Sequence, residues 1–284
     1  MLKFILDILR GIVIGVANII PGVSGGTMMV SMGIYDDIIS SINNLFKNFK
    51  KSLLTLLPYG IGMVAGIVGF AFAIEWLFAK FPIPTALLFI GLIFGGVPTI
   101  WKKVGGKKDI WVILLFAAFF ALVIVLEIIG QRTGVERELS LTPLGILVSL
   151  IVGCLAAATM IIPGVSGSMI MMILGYYNSI ISSLTGAVSA LKSFDIKGVF
   201  ARGGVLIPFV IGVFLGFFGV AKLIRFLLDK YERRTYGAIL GLIAASPYPV
   251  FVHLGITSVS VAAVIFGIIT FAAGFVIAFK LGKE

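Results

Sequence analysis

Residues Ile19-Ile-Pro-Gly-Val-Ser-Gly25 return letter for letter as Ile161-Ile-Pro-Gly-Val-Ser-Gly167, 142 positions further on. In that register Met29 falls on Met171, Gly33 on Gly175, Tyr35 on Tyr177 and Ile38-Ile-Ser-Ser41 on Ile180-Ile-Ser-Ser183. Fourteen of the 23 positions from Ile19 to Ser41 are identical, where a chain of this composition yields roughly two by chance. The chain is therefore an internal duplication. Past a small insertion the copies resume: Leu57-Pro58 falls on Ile207-Pro208, and Gly62, Gly66 and Gly69 fall on Gly212, Gly216 and Gly219. Lys80 then matches Lys230, Thr85 matches Thr235, and Gly91-Leu92 matches Gly241-Leu242. The halves run 1–140 and 141–284, each a motif segment followed by three apolar stretches.

Pro21-Gly22-Val23-Ser24-Gly25-Gly26 cannot continue a helix, because proline removes a donor and the glycines free the backbone. Yet it lies between two apolar stretches, Ile5–Ile20 and Met28–Ser41. Irregular backbone at membrane depth is tolerated only where it faces protein or a wet cavity. The motif reads as the turn of a helical hairpin, over 5–41 in the first half and 144–183 in the second, either re-entrant or a pair of full spans.

The membrane itself follows from composition. Of the 284 residues 60% are hydrophobic and 12% charged, with mean hydropathy +1.19, too apolar for a surface that must face water. Crossing a bilayer takes about 20 apolar residues, and six stretches qualify: Leu53–Phe78, Ile83–Ile100, Ile110–Ile129, Gly203–Ala221, Tyr236–Val252 and Ser258–Phe279. The net charge of +10 sits in short connections between apolar runs, which points to membrane orientation rather than nucleic acid. One cysteine, Cys154, permits neither a disulfide framework nor a cysteine metal cluster. Nothing calls for a metal or a cofactor. Met1–Arg10 lacks a small-residue cleavage pattern and is expected to be retained.

Charge counting tests the hairpin. If each motif segment leaves on the side it entered and both termini are cytoplasmic, 16 of the 22 basic residues fall inside. If each crosses once, the split is 12 against 10. The positive-inside rule favours the hairpin. A hairpin plus three crossings is an odd number, so the second half is expected to be inverted. The expected fold is an all-α integral membrane protein of two inverted-topology repeats, each a broken hairpin plus three transmembrane helices, an arrangement recurrent in transporters.

A helix that starts after such a turn presents unpaired amides and a positive dipole end, which favour an anion. Ser24, Thr27, Ser166 and Ser168 add hydroxyls, and two turns facing each other suit a phosphate or carboxylate. The plainer reading is that these small residues only let helices pack closely. Lys222 and Arg225 follow an apolar span, and Glu75 holds the register position of Arg225. They carry either a headgroup or coupling-ion role or snorkel to the interface. Asp36, Asp37 and Glu127 are further ion-coupling candidates, with solvated helix ends as the plainer account. His253, the only histidine, has no acidic neighbour in sequence and reads as incidental. Trp76, Trp101 and Trp111 fit an aromatic belt.

Asn18-Ile-Ile-Pro-Gly-Val-Ser-Gly-Gly-Thr27 with its second copy Ile161-Ile-Pro-Gly-Val-Ser-Gly-Ser168 resembles, over essentially the whole chain, a bacterial membrane family that includes the PopT-type polyprenyl-phosphate transporters. The resemblance implies translocation of undecaprenyl phosphate across the cytoplasmic membrane for cell-envelope synthesis, coupled to protons or sodium, rather than catalysis. It assigns the headgroup to Asn18, Pro21, Gly22, Val23, Ser24, Gly25, Gly26 and Thr27 and to Pro163, Gly164, Val165, Ser166, Gly167 and Ser168. The second copy has Ser168 for Gly26 and Met169 for Thr27, so the halves are expected to contribute unequally. Two other functions fit parts of the pattern. A small-anion channel or exchanger would use the same helix ends. A rhomboid-type serine protease would use Gly22-Val-Ser-Gly25 with His253 as base, but two serines would then share one histidine.

Overall fold

The computed structural model describes residues 2–20, 23–105, 109–132, 136–254 and 259–282. Pro21 and Gly22 of the first motif lie outside the described residues, as do Lys107, Lys108 and Lys283 of the charge count and Ser258 of the last expected span. The described residues contain helices and no strand. In chain order these are α1 (Leu2–Ile19), α2 (Gly25–Ser31), α3 (Tyr35–Asn43), α4 (Phe49–Lys80), α5 (Pro82–Gly95), α6 (Val97–Val104) and α7 (Ile110–Arg132). The second half gives α8 (Pro143–Ile161), α9 (Gly167–Leu174), α10 (Tyr177–Lys192), α11 (Ile196–Ala245), α12 (Pro247–His253) and α13 (Val261–Leu281).

Among the described residues six stretches are long and apolar enough to cross a membrane: Phe49–Lys80, Pro82–Val104, Ile110–Gln131, Pro143–Ile161, Ile196–His253 and Val261–Leu281. The chain is a multi-pass membrane protein. The set differs from the six spans read from sequence in two places. Ile196–His253 holds two of them, Gly203–Ala221 and Tyr236–Val252. Pro143–Ile161, expected as a hairpin arm, is about 28 Å long at 1.5 Å per residue and long enough to cross by itself. Its counterpart α1 carries Lys3, Asp7 and Arg10 and is less apolar for that reason.

The 50 residues of α11 are two helices joined at Tyr231, where φ is −135° and ψ 41°. Its register equivalent Phe81, between α4 and α5, has φ −134° and ψ 58°. At Phe81 the following proline disfavours helical backbone. No proline follows Tyr231, yet the same carbonyls are capped. Thr85 Oγ1 donates to Phe81 O at 2.7 Å and Leu77 O at 3.2 Å. Thr235 Oγ1 donates to Tyr231 O at 3.0 Å and Leu227 O at 3.1 Å. One threonine in each copy satisfies the acceptors that the bend releases.

By contact the chain divides into two compact units, Met1–Ile124 with Ile162–Gly164 and Ala221–Glu284, and Val125–Ile161 with Val165–Val220. Within the first, α1 and α4 run parallel. Lys3 shares a cavity with Lys50 and Lys51 at one end, and Ile19 shares another with Ala71 and Ile74 at the other. Between those ends the backbones touch: a Cβ on Gly62 would lie 2.1 Å from Ile8 O, on Gly66 2.5 Å from Ile12 O, and on Gly11 2.4 Å from Tyr59 O. Within the second unit the equivalent contacts recur. A Cβ on Gly212 would lie 2.0 Å from Leu150 O, on Gly216 2.1 Å from Cys154 O, and on Gly153 2.1 Å from Phe209 O. Each pair of residues maps onto its counterpart through the sequence register. Small residues that let membrane helices touch have thus kept the same job in both copies.

The first unit takes in the end of the second half because the third spans are exchanged. Gly91 of α5 abuts Phe271 O of α13, and Gly241 of α11, which falls on Gly91 in register, abuts Phe116 O of α7. Gly95 with Phe275 and Gly267 with Ile83 fix α5 and α13 as parallel. Gly237 with Val112 and Arg234 with Asp109 do the same for α11 and α7.

Candidate functional site

The first motif resumes at Val23, and Ser24 caps α2: its extended backbone (φ −115°, ψ 146°) lets Oγ accept the amide of Thr27. That hydrogen bond is 3.2 Å, and Ser24 Oγ lies 3.0 Å from Thr27 Oγ1. Both hydroxyls are buried, Thr27 completely. The backbone N–H of Gly164, in the second motif, donates to Thr27 Oγ1 at 2.8 Å and to Ser24 Oγ at 3.1 Å. Pro163-Gly164 therefore meets Ser24 and Thr27 directly inside the first unit. Gly164 has φ +78°, and a Cβ there would lie 2.9 Å from Leu242 O. Both its conformation and its close approach to α11 require glycine.

Asn18 joins the same cluster. Its Oδ1 accepts the amide of Gly25 at 3.1 Å, and its Nδ2 lies 3.9 Å from Met63 Sδ. A Cβ on Gly25 would fall 2.8 Å from Asn18 Nδ2. Asn18 falls on Met160 in the repeat, so this contact belongs to the first copy alone.

The expected inequality of the halves has a specific form. Ser166 caps α9 with extended backbone but makes no side-chain cap bond, although Met169, which stands where Thr27 would be, has the same backbone N–H to offer. Ser166 Oγ pairs with Ser168 Oγ at 2.7 Å instead. Among the described residues no hydrogen bond occupies the amides of Gly167, Ser168 and Met169, and Ser166, Gly167 and Ser168 are half-buried. The first copy's amides at Gly25 and Thr27 are taken by its own side chains. Free amides at both turns were expected from the sequence; among the described residues the second copy leaves three without a hydrogen bond and the first leaves one, at Gly26.

The charged candidates divide. Arg225 pairs with Asp229, Nε to Oδ2 at 3.0 Å and Nη2 to Oδ1 at 2.9 Å, and donates to Ser40 Oγ. Lys222 is exposed. Among the described residues neither reaches the Ser24 cluster by a hydrogen bond. Asp36 is gripped by Tyr236 and Lys103: Tyr236 OH donates to both carboxylate oxygens, Lys103 Nζ binds one of them, and Lys103 also lies 2.9 Å from Tyr236 OH. Asp37 is exposed. Glu127 is only 2% exposed, so the solvated helix end expected there is not found. Gln131 Nε2 donates to it at 3.3 Å. Glu75 lines a cavity of about 430 Å³ together with His253, which sequence reasoning had set aside for want of an acidic neighbour.

Sequence reasoning missed a further cluster. Arg10, counted among the loop charges, is 5% exposed and holds Asp7 Oδ1 at 3.1 Å and Leu281 O at 2.6 Å. Tyr59 OH donates to the same Asp7 oxygen at 2.8 Å. The spacing of Asp7 and Arg10, three apart on one helix face, was the available signal. Breaking such a buried pair leaves a charge without a partner, which costs about 3–5 kcal/mol.

A family model described as VCA0040-like, undecaprenyl phosphate translocase-like, matches residues 14–265. The chain is 29% identical over 282 residues to a polyprenyl-phosphate transporter of Staphylococcus aureus, covering 98% of this chain and 96% of that one. It is 29% identical over 256 residues to a polyprenyl-phosphate transporter of Vibrio cholerae, covering 85% and 75% respectively. No solved structure matches. The family match begins before the first motif, takes in both copies and ends within α13, so the chain belongs to the VCA0040-like, undecaprenyl phosphate translocase-like family.

Proposed function

We propose that this protein is a transporter of polyprenyl phosphate, carrying the lipid's phosphate across the bacterial cytoplasmic membrane at the paired turns while the apolar tail stays in lipid. The observation that carries the reading is the contact of Gly164 N–H with Ser24 Oγ and Thr27 Oγ1. Protein donors and acceptors there satisfy one another across the two motif copies. A phosphate entering there would take the Gly164 amide and the hydroxyls of Ser24 and Thr27, all of them able to donate to an anion. The hydroxyls of Ser166 and Ser168 and the amides that begin α9 are the second copy's own donors for such a group.

That exchange gives transport a physical logic. Opening the turns without a ligand strands buried polar groups, at about 1–3 kcal/mol each. Opening onto a phosphate replaces every lost bond with a charge-assisted one. Opening is thus favoured with a headgroup bound and resisted without one. Lys222 and Arg225 lie outside this hydrogen-bonded cluster, and their part is to draw the anion toward it along α11.

The topology that serves this function is the inverted one, with hairpins that return to their own side and both termini cytoplasmic. The parallel course of α1 and α4 supports it, because α2 and α3 must then bring the chain back to where α1 began. The parallel pairs α5 with α13 and α7 with α11 also support it. Were each motif segment to cross once, α5 and α13 would run in opposite senses.

The test is reconstitution into liposomes loaded with polyprenyl phosphate on both leaflets, with a membrane-impermeant phosphatase outside. The wild type should expose the whole pool to cleavage, and Ser24→Ala combined with Ser166→Ala should slow the second half of it. Cleavage that stops at the outer half with the wild-type protein overturns the reading. A small-anion conductance in planar bilayers, indifferent to added polyprenyl phosphate, would establish the channel in its place.

A further inference from the structure

Lys3 of α1 and Lys50 and Lys51 of α4 line one cavity of about 820 Å³. Phe4, Phe49 and Leu54 give it exposed apolar walls, and Asp7 is the only carboxylate among the described residues that line it. We propose that this cavity is a second binding station for a phosphomonoester lipid, in which the three lysines take the phosphate on the cytoplasmic face and the apolar walls take the start of its chain. The inference rests on the transport reading above and adds to the paired turns a place where the same headgroup is held before or after passage.

Uncompensated charge is the first argument. Among the described residues Lys3, Lys50 and Lys51 make no side-chain hydrogen bond or ion pair. Asp7 does not offset them, because its charge is matched by Arg10 at 3.1 Å. Lys50 and Lys51 stand in the first turn of α4, where the positive end of the helix dipole disfavours cations. That turn holds no acidic residue, and Asn48 supplies no side-chain cap. Nor, among the described residues, does any hydrogen bond occupy the amides of Phe49, Lys50 and Lys51. Three cations and the open start of a 32-residue helix thus meet in one space with no anion of the chain's own to hold them together.

An inside excess of lysine accounts for how many cations face the cytoplasm, but not for cations placed where a helix dipole opposes them. The second copy shows the other solution. Through the register Asn48, Lys50 and Lys51 fall on Gly198, Phe200 and Ala201, and Lys3 falls on Gly145, so none of the three cations is repeated. There Asp195 precedes α11, and its Oδ1 accepts the amide of Gly198 at 3.0 Å. One helix start is closed by a carboxylate of its own, while its counterpart is left open and lined with lysine.

The charge to be met and the walls together select the ligand. A phosphate monoester carries about −1.5 to −2 at pH 7, whereas the diester of an ordinary phospholipid carries a single negative charge, so the monoester satisfies more of the three lysines. Phe4, Phe49 and Leu54 are 45%, 61% and 60% exposed beside those cations. A free phosphate gains nothing from such surface, and a lipid chain covers it. Basic pockets between membrane helices on the cytoplasmic side hold lipid headgroups in this way. Lys3 lies sixteen residues before Ile19 on α1, about 24 Å along the helix, so the station is separate from the first motif's turn.

Brief acetylation of the full-length protein in phosphatidylcholine nanodiscs, followed by digestion and mass spectrometry, reports each lysine separately. Added polyprenyl phosphate should protect Lys3, Lys50 and Lys51 and leave the exposed Lys102 and Lys197 reacting as before. Half-protection should need about tenfold less polyprenyl phosphate than phosphatidylglycerol, and inorganic phosphate should not protect at all. Lys50→Gln should raise the polyprenyl phosphate needed to half-protect Lys51 about fivefold. The main comparison uses the wild type, so it stands even if the variant does not fold. No protection, or equal protection of all five lysines, overturns the proposal. Phosphatidylglycerol protecting as well as polyprenyl phosphate overturns the monoester as ligand, and inorganic phosphate doing so overturns the lipid. Protection requires no passage across the membrane. A protein that transports in the phosphatase assay without protecting these lysines therefore loses the station alone, and one that protects them without transporting loses the transport reading.

Discussion

The hydroxyl of Tyr236 sits between the two carboxylate oxygens of Asp36, at 2.6 Å and 2.7 Å, and so ties a residue of the first half to one of the second. Lys103 closes the triangle, bound to the carboxylate and lying over the tyrosine ring at 4.9 Å from its centroid. This arrangement engages the Asp36 carboxylate in a structural ion pair, which argues against the ion-coupling role expected of it. Tyr236→Phe should lower stability in detergent by about 1–2 kcal/mol, toward the low end for a hydrogen bond to a charged group because Asp36 is part-exposed. Thermal unfolding of the purified variant measures it. Transport at fixed pH should change less than stability does, and a large loss of transport with unchanged stability would restore Asp36 as an ion-coupling residue.

Thr27 separates packing from chemistry at the turns. Thr27→Val keeps the shape and removes the acceptor for Gly164 N–H, while Thr27→Ser keeps the acceptor and removes a methyl. Loss of the acceptor in a fully buried site costs about 1–2 kcal/mol, with Ser24 Oγ taking up part of the donor. Headgroup transfer should fall about tenfold in Thr27→Val and remain within about twofold of wild type in Thr27→Ser. Equal behaviour of the two variants in the phosphatase assay would mean that the hydroxyl has no part in transfer.

Much of this fold was readable from the duplication. The register that matched Gly62 and Gly66 to Gly212 and Gly216 also matched the backbone carbonyls those glycines meet, and it matched Phe81 to Tyr231. Hydropathy already separated Gly203–Ala221 from Tyr236–Val252, but the register alone pointed to Tyr231 as the bend, because no proline marks it. The exchange of third spans was not legible. Spans such as α7 and α13 are apolar all round, so no face of either identifies its partner. The two hydroxyl-bearing turns were found from sequence, whereas the use of Asn18 to occupy the Gly25 amide was not, since its side chain closes a turn from seven residues away. Glu75 and His253 were judged separately and each looked peripheral. Only the folding of α12 beside α4 puts both on the wall of one cavity.

The shared glycine contacts predict paired outcomes. Gly62→Ala and Gly212→Ala each force a methyl to about 2 Å from a carbonyl oxygen, where neither backbone can yield cheaply. Each should destabilise by about 1–3 kcal/mol. Gly69 and Gly219 occupy matching register positions with nothing within 4 Å of a Cβ. Alanine at either should be neutral or stabilising by up to about 1 kcal/mol through helix propensity. Unfolding temperatures of the four variants in one detergent decide it, and comparable losses at all four would show that the repeat register does not describe packing.

Sidedness tests the architecture most directly. With Cys154 replaced by alanine, single cysteines at Lys3 and Asn48 flank the first motif segment and its hairpin. The cavity shared by Lys3, Asn48 and Lys50 requires both to react with a membrane-impermeant maleimide from the same face, and the inside excess of lysine and arginine makes that face cytoplasmic. A cysteine at Lys80, 32 positions along on α4, is separated from Asn48 by about 48 Å of helix and should react only from the other face. Two further crossings, by α5 and α7, place Arg137, ahead of α8, on that outer face as well, so the second motif segment begins where the first did not. Labelling of Lys3→Cys and Asn48→Cys from opposite faces would make the first segment a simple span, give the halves the same orientation, and leave the parallel packing of α5 on α13 without a topology that permits it.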